Sequence, residues 1–268
     1  MHVPTPDPTS AASTTISRHH AGDGTTRAVF TRRWWLVLLA GIALTLLAIP
    51  LDAPISRAVL MPRVDATGSS RLTPKIGGDF KRELEFLQQF GAVSSLVIVG
   101  LVMLLLDRAR ARRVADMALS AAFVALACNA LKLLIGRPRP KFDDPGTFLF
   151  PGGQYELSIQ GENVLRHAWQ IGSGISSDLW SMPSSHTAAG VALAVFLAGV
   201  YPKLRPLGIF LATIVGVARV LLGAHYLSDV VAGAILGYLV STPITHARAG
   251  EQLLARIAGR REEWRLNS

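Results

Sequence analysis

Six stretches of this chain are apolar over lengths that a soluble fold has little use for, and they restrict the architecture more than any other feature. They run from Trp34 to about Leu51, about Phe90 to Leu106, about Asp116 to Ile135, about Ser184 to Tyr201, Leu204 to Leu222 and about His225 to Thr245. About 20 helical residues carry a chain across the hydrocarbon core of a bilayer. The last four stretches reach that length only when the polar residues at one end are counted in. Composition agrees, since half of the 268 residues are hydrophobic and only 17% are charged, against about 25% in ordinary soluble domains. The expected fold is all-α, a polytopic membrane helical bundle with six transmembrane helices in one unit.

The net charge of +9 does not imply a nucleic-acid partner, because the cations sit in short clusters beside apolar runs. Arg27, Arg32 and Arg33 precede the first run, "DRARARR" (107–113) joins the second and third, and Lys203 and Arg205 join the fourth and fifth. Arg248, Arg256, Arg260, Arg261 and Arg265 follow the sixth. With six crossings all four clusters fall on one side, which the positive-inside rule makes cytoplasmic. Loops at roughly 52–85, 137–183 and 223–224 then face outward. Residues 1–31, rich in Ser, Thr, Pro and His, read as a disordered cytoplasmic tail. Residues 32–246 form the six-span domain and 247–268 a basic cytoplasmic tail. The twin arginine before "WWLVLLAG" reads as the flank of an uncleaved anchor. Cys128, the only cysteine, excludes an internal disulfide or a cysteine metal cluster and reads as packing.

Polar residues interrupt this pattern at particular places. Lys132 and Arg139 lie at the end of the third run, Pro183 to His186 open the fourth, Arg219 lies near the end of the fifth, and His225 and Asp229 open the sixth. Because successive helices alternate in direction, all these positions reach the same outer face. A charge at membrane depth costs about 2.5 to 3.5 kcal/mol on insertion scales, so the cluster needs a reason. Singly, each has a structural one. Lys132, Arg137 and Arg219 suit snorkelling anchors or loop contacts, Ser184 suits a helix N-cap, and His225 with Asp229 suits a polar pair four residues apart. Jointly they suit phosphate. Lys132, Arg139 and Arg219 supply fixed positive charge, and the start of the fourth helix, with Ser184 and Ser185, offers amides and hydroxyls to an anion. His225 is then a candidate nucleophile with Asp229 fixing its tautomer, and His186 the general acid and later the base. No carboxylate cluster has metal-ligand spacing, so no metal or other cofactor is expected.

These residues resemble the type-2 phosphatidic acid phosphatase superfamily, which includes membrane lipid phosphate phosphatases and soluble vanadium haloperoxidases. Its first motif, Lys, six residues, Arg-Pro, is met by Lys132, Arg139 and Pro140. Its second, Pro-Ser-Gly-His, is met by Pro183, Ser184 and His186, and its third by Arg219, His225 and Asp229. Ser185 stands where the family has Gly, and Ala218 where it has Ser. The resemblance implies a metal-independent phosphatase acting through a phosphohistidine on His225, with a lipid phosphate as substrate and the bilayer as partner. Undecaprenyl pyrophosphate, phosphatidate, phosphatidylglycerol phosphate and lipid A phosphate all fit. The expected location is the cytoplasmic membrane, with the site facing the periplasm or exterior. Phe148, Phe150, Trp169 and Trp180 either shape the site's mouth or pack their loop, and "FKRELEFLQQFG" (80–91) suits a helix along the interface. Three rival functions are weighed: a lipid phosphotransferase of the same fold; a transporter, against which the gathering of ionisable residues at one end counts; and a catalytically idle interaction protein, against which the retained His186, His225 and Asp229 count.

Overall fold

The computed structural model describes residues 23–64, 70–159, 162–170 and 176–266. Residues 1–37 and 38–268 separate into two units. The first unit holds the start of α1 (Asp23–Val59). The second holds the rest of α1 and then α2 (Gly78–Leu87), α3 (Val93–Leu106), α4 (Val114–Ile135), α5 (Ser185–Val200), α6 (Arg205–Leu221), α7 (Leu227–His246) and α8 (Ala249–Leu266). Most of the expected disordered tail, residues 1–22, lies outside the described residues, while residues 23–31 already belong to α1.

The fold is mostly helical, but not all-α. Two antiparallel hairpins, β1 (Leu60–Val64) with β2 (Ser70–Pro74) and β3 (Tyr155–Ile159) with β4 (Glu162–Arg166), occupy the loops after α1 and after α4. Each strand has five residues, too few for an alternating pattern to stand out from loop composition. Length and composition alone show fewer than the six expected crossings. Among the described residues, four helices are long and apolar enough to cross a membrane: Trp34–Val59, Ala111–Ile135, Pro202–Leu221 and Leu227–His246. The Gly78–Gly91 and Val93–Leu106 pair passes only when taken together, with a 60° bend between them. Helix α5, with 16 residues, extends for about 24 Å at the usual helical rise, short of a hydrocarbon core about 30 Å thick.

Helix α5 is the centre of the bundle, packed against α4, α6 and α7. Met103, Met117, Leu193, Phe196 and Val200 form one core cluster, and Val124, Cys128, Ala188 and Ala192 another. Cys128 is therefore a packing residue, as its apolar surroundings suggested. The α5–α7 contact is closest where Gly233 and Gly237, one helical turn apart, face the carbonyls of Ser184 and Ala188; a Cβ at either glycine would overlap that backbone. Small residues at this spacing let two membrane helices meet backbone to backbone. We expect Gly233→Val to destabilise the protein by about 1 to 3 kcal/mol through overpacking and to push Ser184 away from α7. Thermal unfolding in detergent checks this, and an unchanged midpoint would contradict it.

At the other end of the bundle, the buried carboxylate of Asp116 accepts hydrogen bonds from the Gly250 and Glu251 amides at 2.7 and 3.0 Å and from Arg113 Nε at 2.5 Å. Residues 249–266, placed by composition in a basic tail, are thus a helix whose start is capped by α4.

Candidate active site

Four helix ends meet at one end of the bundle: the C-termini of α4 and α6 and the N-termini of α5 and α7. Helix α4 stops at Gly136, whose φ of 58° is the left-handed conformation that closes helices cheaply. The chain then leaves through Arg137, Pro138 and Arg139 into the long loop. Helix α5 starts after Pro183, with Ser184 extended at the N-cap position and its amide donating to the Asp229 carbonyl at 3.0 Å. Helix α7 starts at Leu227, where the Asp229 carboxylate accepts from the Tyr226 amide at 2.9 Å.

The three motifs are joined directly. Lys132 Nζ donates to Ser185 Oγ at 3.1 Å. Arg139 donates to the Ser177 carbonyl at 2.6 Å and the Ala224 carbonyl at 3.1 Å, beside His225. The His225 amide donates to the Arg219 carbonyl at 3.1 Å, and Arg219 Nη1 donates to Gln88 Oε1 at 2.7 Å. The charges of Lys132, Arg139 and Arg219 all bear on the His186 ring, and those of Arg139 and Arg219 on the His225 ring. None of these three cations forms an ion pair among the described residues, although Lys132 is buried to 7% exposure. The amides of Ser185, His186 and Thr187, the first turn of α5, have no partner among the described residues. The His186 ring likewise makes no hydrogen bond with a described residue and is half-buried. Positive charge, free amides and a free imidazole gather at the same end of the bundle.

His225 is held more indirectly than its spacing from Asp229 implies. Its Nδ1 lies 2.6 Å from the Ser181 carbonyl and 3.7 Å from Asp229 Oδ2. A carbonyl only accepts, so Nδ1 carries the proton and Nε2 is left with its lone pair. The tautomer is therefore fixed by Ser181, with Asp229 supplying charge nearby rather than the hydrogen bond itself. Asp229 Oδ2 in turn accepts from Ser181 Oγ at 2.5 Å. Ser181, fully buried, escaped the sequence reading because a lone serine two residues before Pro183 carries no signal. Burial pushes the His225 pKa down to about 3, with Asp229 pulling the other way, so the ring is neutral at rest.

Ser184 is fully buried, its amide donates to the Asp229 carbonyl, and its Oγ accepts from Thr187 at 3.0 Å, which leaves its hydroxyl proton to donate. Ser185 is the first residue of α5 and needs no left-handed backbone; its hydroxyl gives Lys132 a contact that glycine lacks. Arg137 is no surface anchor. It is completely buried, with Asp229 and Asp52 as ion-pair partners at 2.6 and 2.7 Å. Ala218 is buried inside α6. Of the loop aromatics, Phe148 lies over Arg137 at 4.8 Å and Trp180 packs against the small cluster around Leu157 and Leu179. Phe150 and Trp169 are exposed. Among the described residues, no three His, Cys, Asp or Glu side chains gather as a metal-ligand set.

Comparison with known proteins adds independent findings. Lipid A 1-phosphatases of Rhizobium etli and Rhizobium johnstonii are 35% and 36% identical to the chain over 140 residues, covering 51% of this chain and 50% and 48% of theirs. The chain spans about half the length of the curated relatives it matches. The crystal structure of a PAP2-type phosphatidylglycerolphosphate phosphatase from Bacillus subtilis shares the fold, with a TM-score of 0.52 at 19% identity over 81% of this chain and 96% of that one. The family model described as "PAP2 superfamily" matches residues 113–252, just over half of the sequence and every motif residue from Lys132 to Asp229. The chain belongs to the PAP2 superfamily, that is, the type-2 phosphatidic acid phosphatase superfamily.

Proposed function

We propose that this protein is an integral membrane lipid phosphate phosphatase that hydrolyses a phosphomonoester or pyrophosphate head group through a phosphohistidine. One observation carries the reading: three cations, in no ion pair among the described residues, bear on the His186 ring, and two of them on His225, beside the free amides of a helix start. Such a pocket is complete only with a bound anion of more than one charge. In the proposed reaction the His225 Nε2 lone pair attacks phosphorus in line. Lys132, Arg139, Arg219 and the first amides of α5 stabilise the equatorial oxygens. His186 protonates the departing oxygen and then removes a proton from the water that attacks the phosphohistidine, releasing inorganic phosphate. The Ser181 carbonyl holds the Nδ1 proton throughout.

A lipid substrate is supported by an apolar groove of about 830 Å³ between α1, α5, α6 and α7, lined by residues such as Val59, Val191, Ile209 and Val217 and reaching Leu227, two residues from His225. We place the site at the outer face of the cytoplasmic membrane, with all six apolar helices crossing and α5 and the α2–α3 pair as the short or bent ones. This reading rests on the basic clusters. The activity named for the curated relatives makes lipid A 1-phosphate the first substrate to try. The test is release of phosphate by the purified full chain from a panel of lipid A 1-phosphate, undecaprenyl pyrophosphate, phosphatidate and phosphatidylglycerol phosphate. Release from at least one, inhibited by vanadate and indifferent to a chelator, is expected. Release from none, or complete loss with chelator, refutes the proposal, and labelled phosphate appearing on a second lipid instead of in water makes the enzyme a phosphotransferase.

A further inference from the structure

Among the α1 residues from Trp34 on, most are exposed or partly exposed; apart from Gly41, the buried ones are Ala48, Asp52 and Ser56. These residues repeat every four positions and so share one helix face. The carboxylate in the middle of that face is completely buried and lies outside the residues matched by the family model. It accepts from the Ser228 amide at 2.9 Å, from Ser228 Oγ at 2.5 Å and from Arg137 Nη2 at 2.7 Å. Arg137 Nη1 donates to Ser228 Oγ at 2.7 Å and to Asp229 Oδ1 at 2.6 Å, and Nη2 also reaches the Pro145 carbonyl at 2.5 Å. The ring of Tyr226 lies over the guanidinium at 4.3 Å. One guanidinium thus bridges two carboxylates, one from α1 and one from α7.

We propose that Asp52 is a positioning residue for phosphoryl transfer, acting on Asp229 and His225 through Arg137. The proposal rests on the reading of His225 as the nucleophile. Its basis is charge balance. Arg137 with Asp229 alone is neutral, and offers nothing to the positive charge that develops on the His225 ring as Nε2 bonds phosphorus. Adding Asp52 gives the group one net negative charge, set beside that ring by Asp229 Oδ2. Asp52 also fixes direction. With Oδ1 of Asp229 held by Arg137 and Oδ2 by Ser181 and Tyr226, the carboxylate has no freedom to rotate away. Binding of the phosphate itself, which falls to Lys132, Arg139 and Arg219, is untouched.

The experiment uses the full chain in detergent with whichever lipid phosphate of the panel it hydrolyses fastest. Asp52→Asn is expected to lower kcat about 10- to 100-fold, the usual scale for a partner of a reacting residue's partner. KM stays within about threefold, while inhibition by vanadate, a mimic of five-coordinate phosphorus, weakens along with kcat. In a single turnover quenched in alkali, where the N-phosphoryl bond survives, labelled phosphoenzyme forms more slowly by the same factor. The double variant Asp52→Asn with Asp229→Asn is no slower than Asp229→Asn alone, because the two act as one unit. A folded Asp52→Asn protein with wild-type kcat, or a KM rising as much as kcat falls, overturns the proposal. If Asp52→Asn does not fold, Asp52→Glu carries the test: it keeps the charge, displaces the carboxylate, and lowers kcat at constant KM. Wild-type kcat there, or failure of both variants to fold, makes Asp52 structural only. Absence of any alkali-stable phosphoenzyme in the wild type sinks the nucleophile assignment instead, so the two failures are distinct.

Discussion

His225→Ala is expected to abolish turnover, with a loss of about 10⁴-fold or more, the scale seen when a nucleophile that works as part of a unit is removed. The geometry explains why no neighbour replaces it. His186 is the other imidazole beside the cations, but its ring has no hydrogen-bond partner among the described residues, so nothing fixes which nitrogen bears its proton. His225 is locked by the Ser181 carbonyl at 2.6 Å with Nε2 unprotonated. Alkali-stable phosphoenzyme should vanish in the variant together with phosphate release, while the helical circular dichroism is retained. Residual phosphoenzyme in His225→Ala would place the covalent step elsewhere.

Lys132→Met is expected to separate stability from activity. Lys132 is buried, forms no ion pair among the described residues, and has the neutral Ser185 hydroxyl as its hydrogen-bond partner. The folded protein without substrate therefore carries an uncompensated charge. Replacing it with an apolar side chain of similar length should stabilise the protein by about 1 to 3 kcal/mol, the scale of holding an unpaired charge at membrane depth. The same change removes a cation from the equatorial oxygens and should lower kcat/KM by about 10² to 10³-fold. Thermal unfolding with and without vanadate reads both effects. The variant melts higher than wild type in buffer and gains less from vanadate. A lower melting point would mean that Lys132 is a structural contact and that the pocket was not built around an anion.

How much of this was legible beforehand depends on the range of the interaction. Lys132, His186, Arg219, His225 and Asp229 stood out because each breaks an apolar run, where a polar side chain is costly. The two hairpins did not stand out, since five-residue strands inside polar loops leave no periodic trace. Arg137 and Arg139 are two residues apart in "RPRP", and nothing local says which faces the anion. The left-handed turn at Gly136 and the partners waiting beyond it send Arg137 inward to two carboxylates and leave Arg139 beside His225. Ser184 satisfied a motif position, but nothing local said that its amide would bond to α7 and its Oγ accept from Thr187.

The sequence alone determined that the chain is a bundle of apolar helices and that its cations and histidines collect at one end. Both come from hydrophobic length and from alternation of direction, which are properties of the chain read in order. Only the tertiary structure decided that Ser181 rather than Asp229 holds the His225 proton, and that Asp52 reaches across to Ser228 and Arg137. These contacts join residues 44, 85 and 176 positions apart, and they exist because close packing of the helices leaves each buried polar group no other partner.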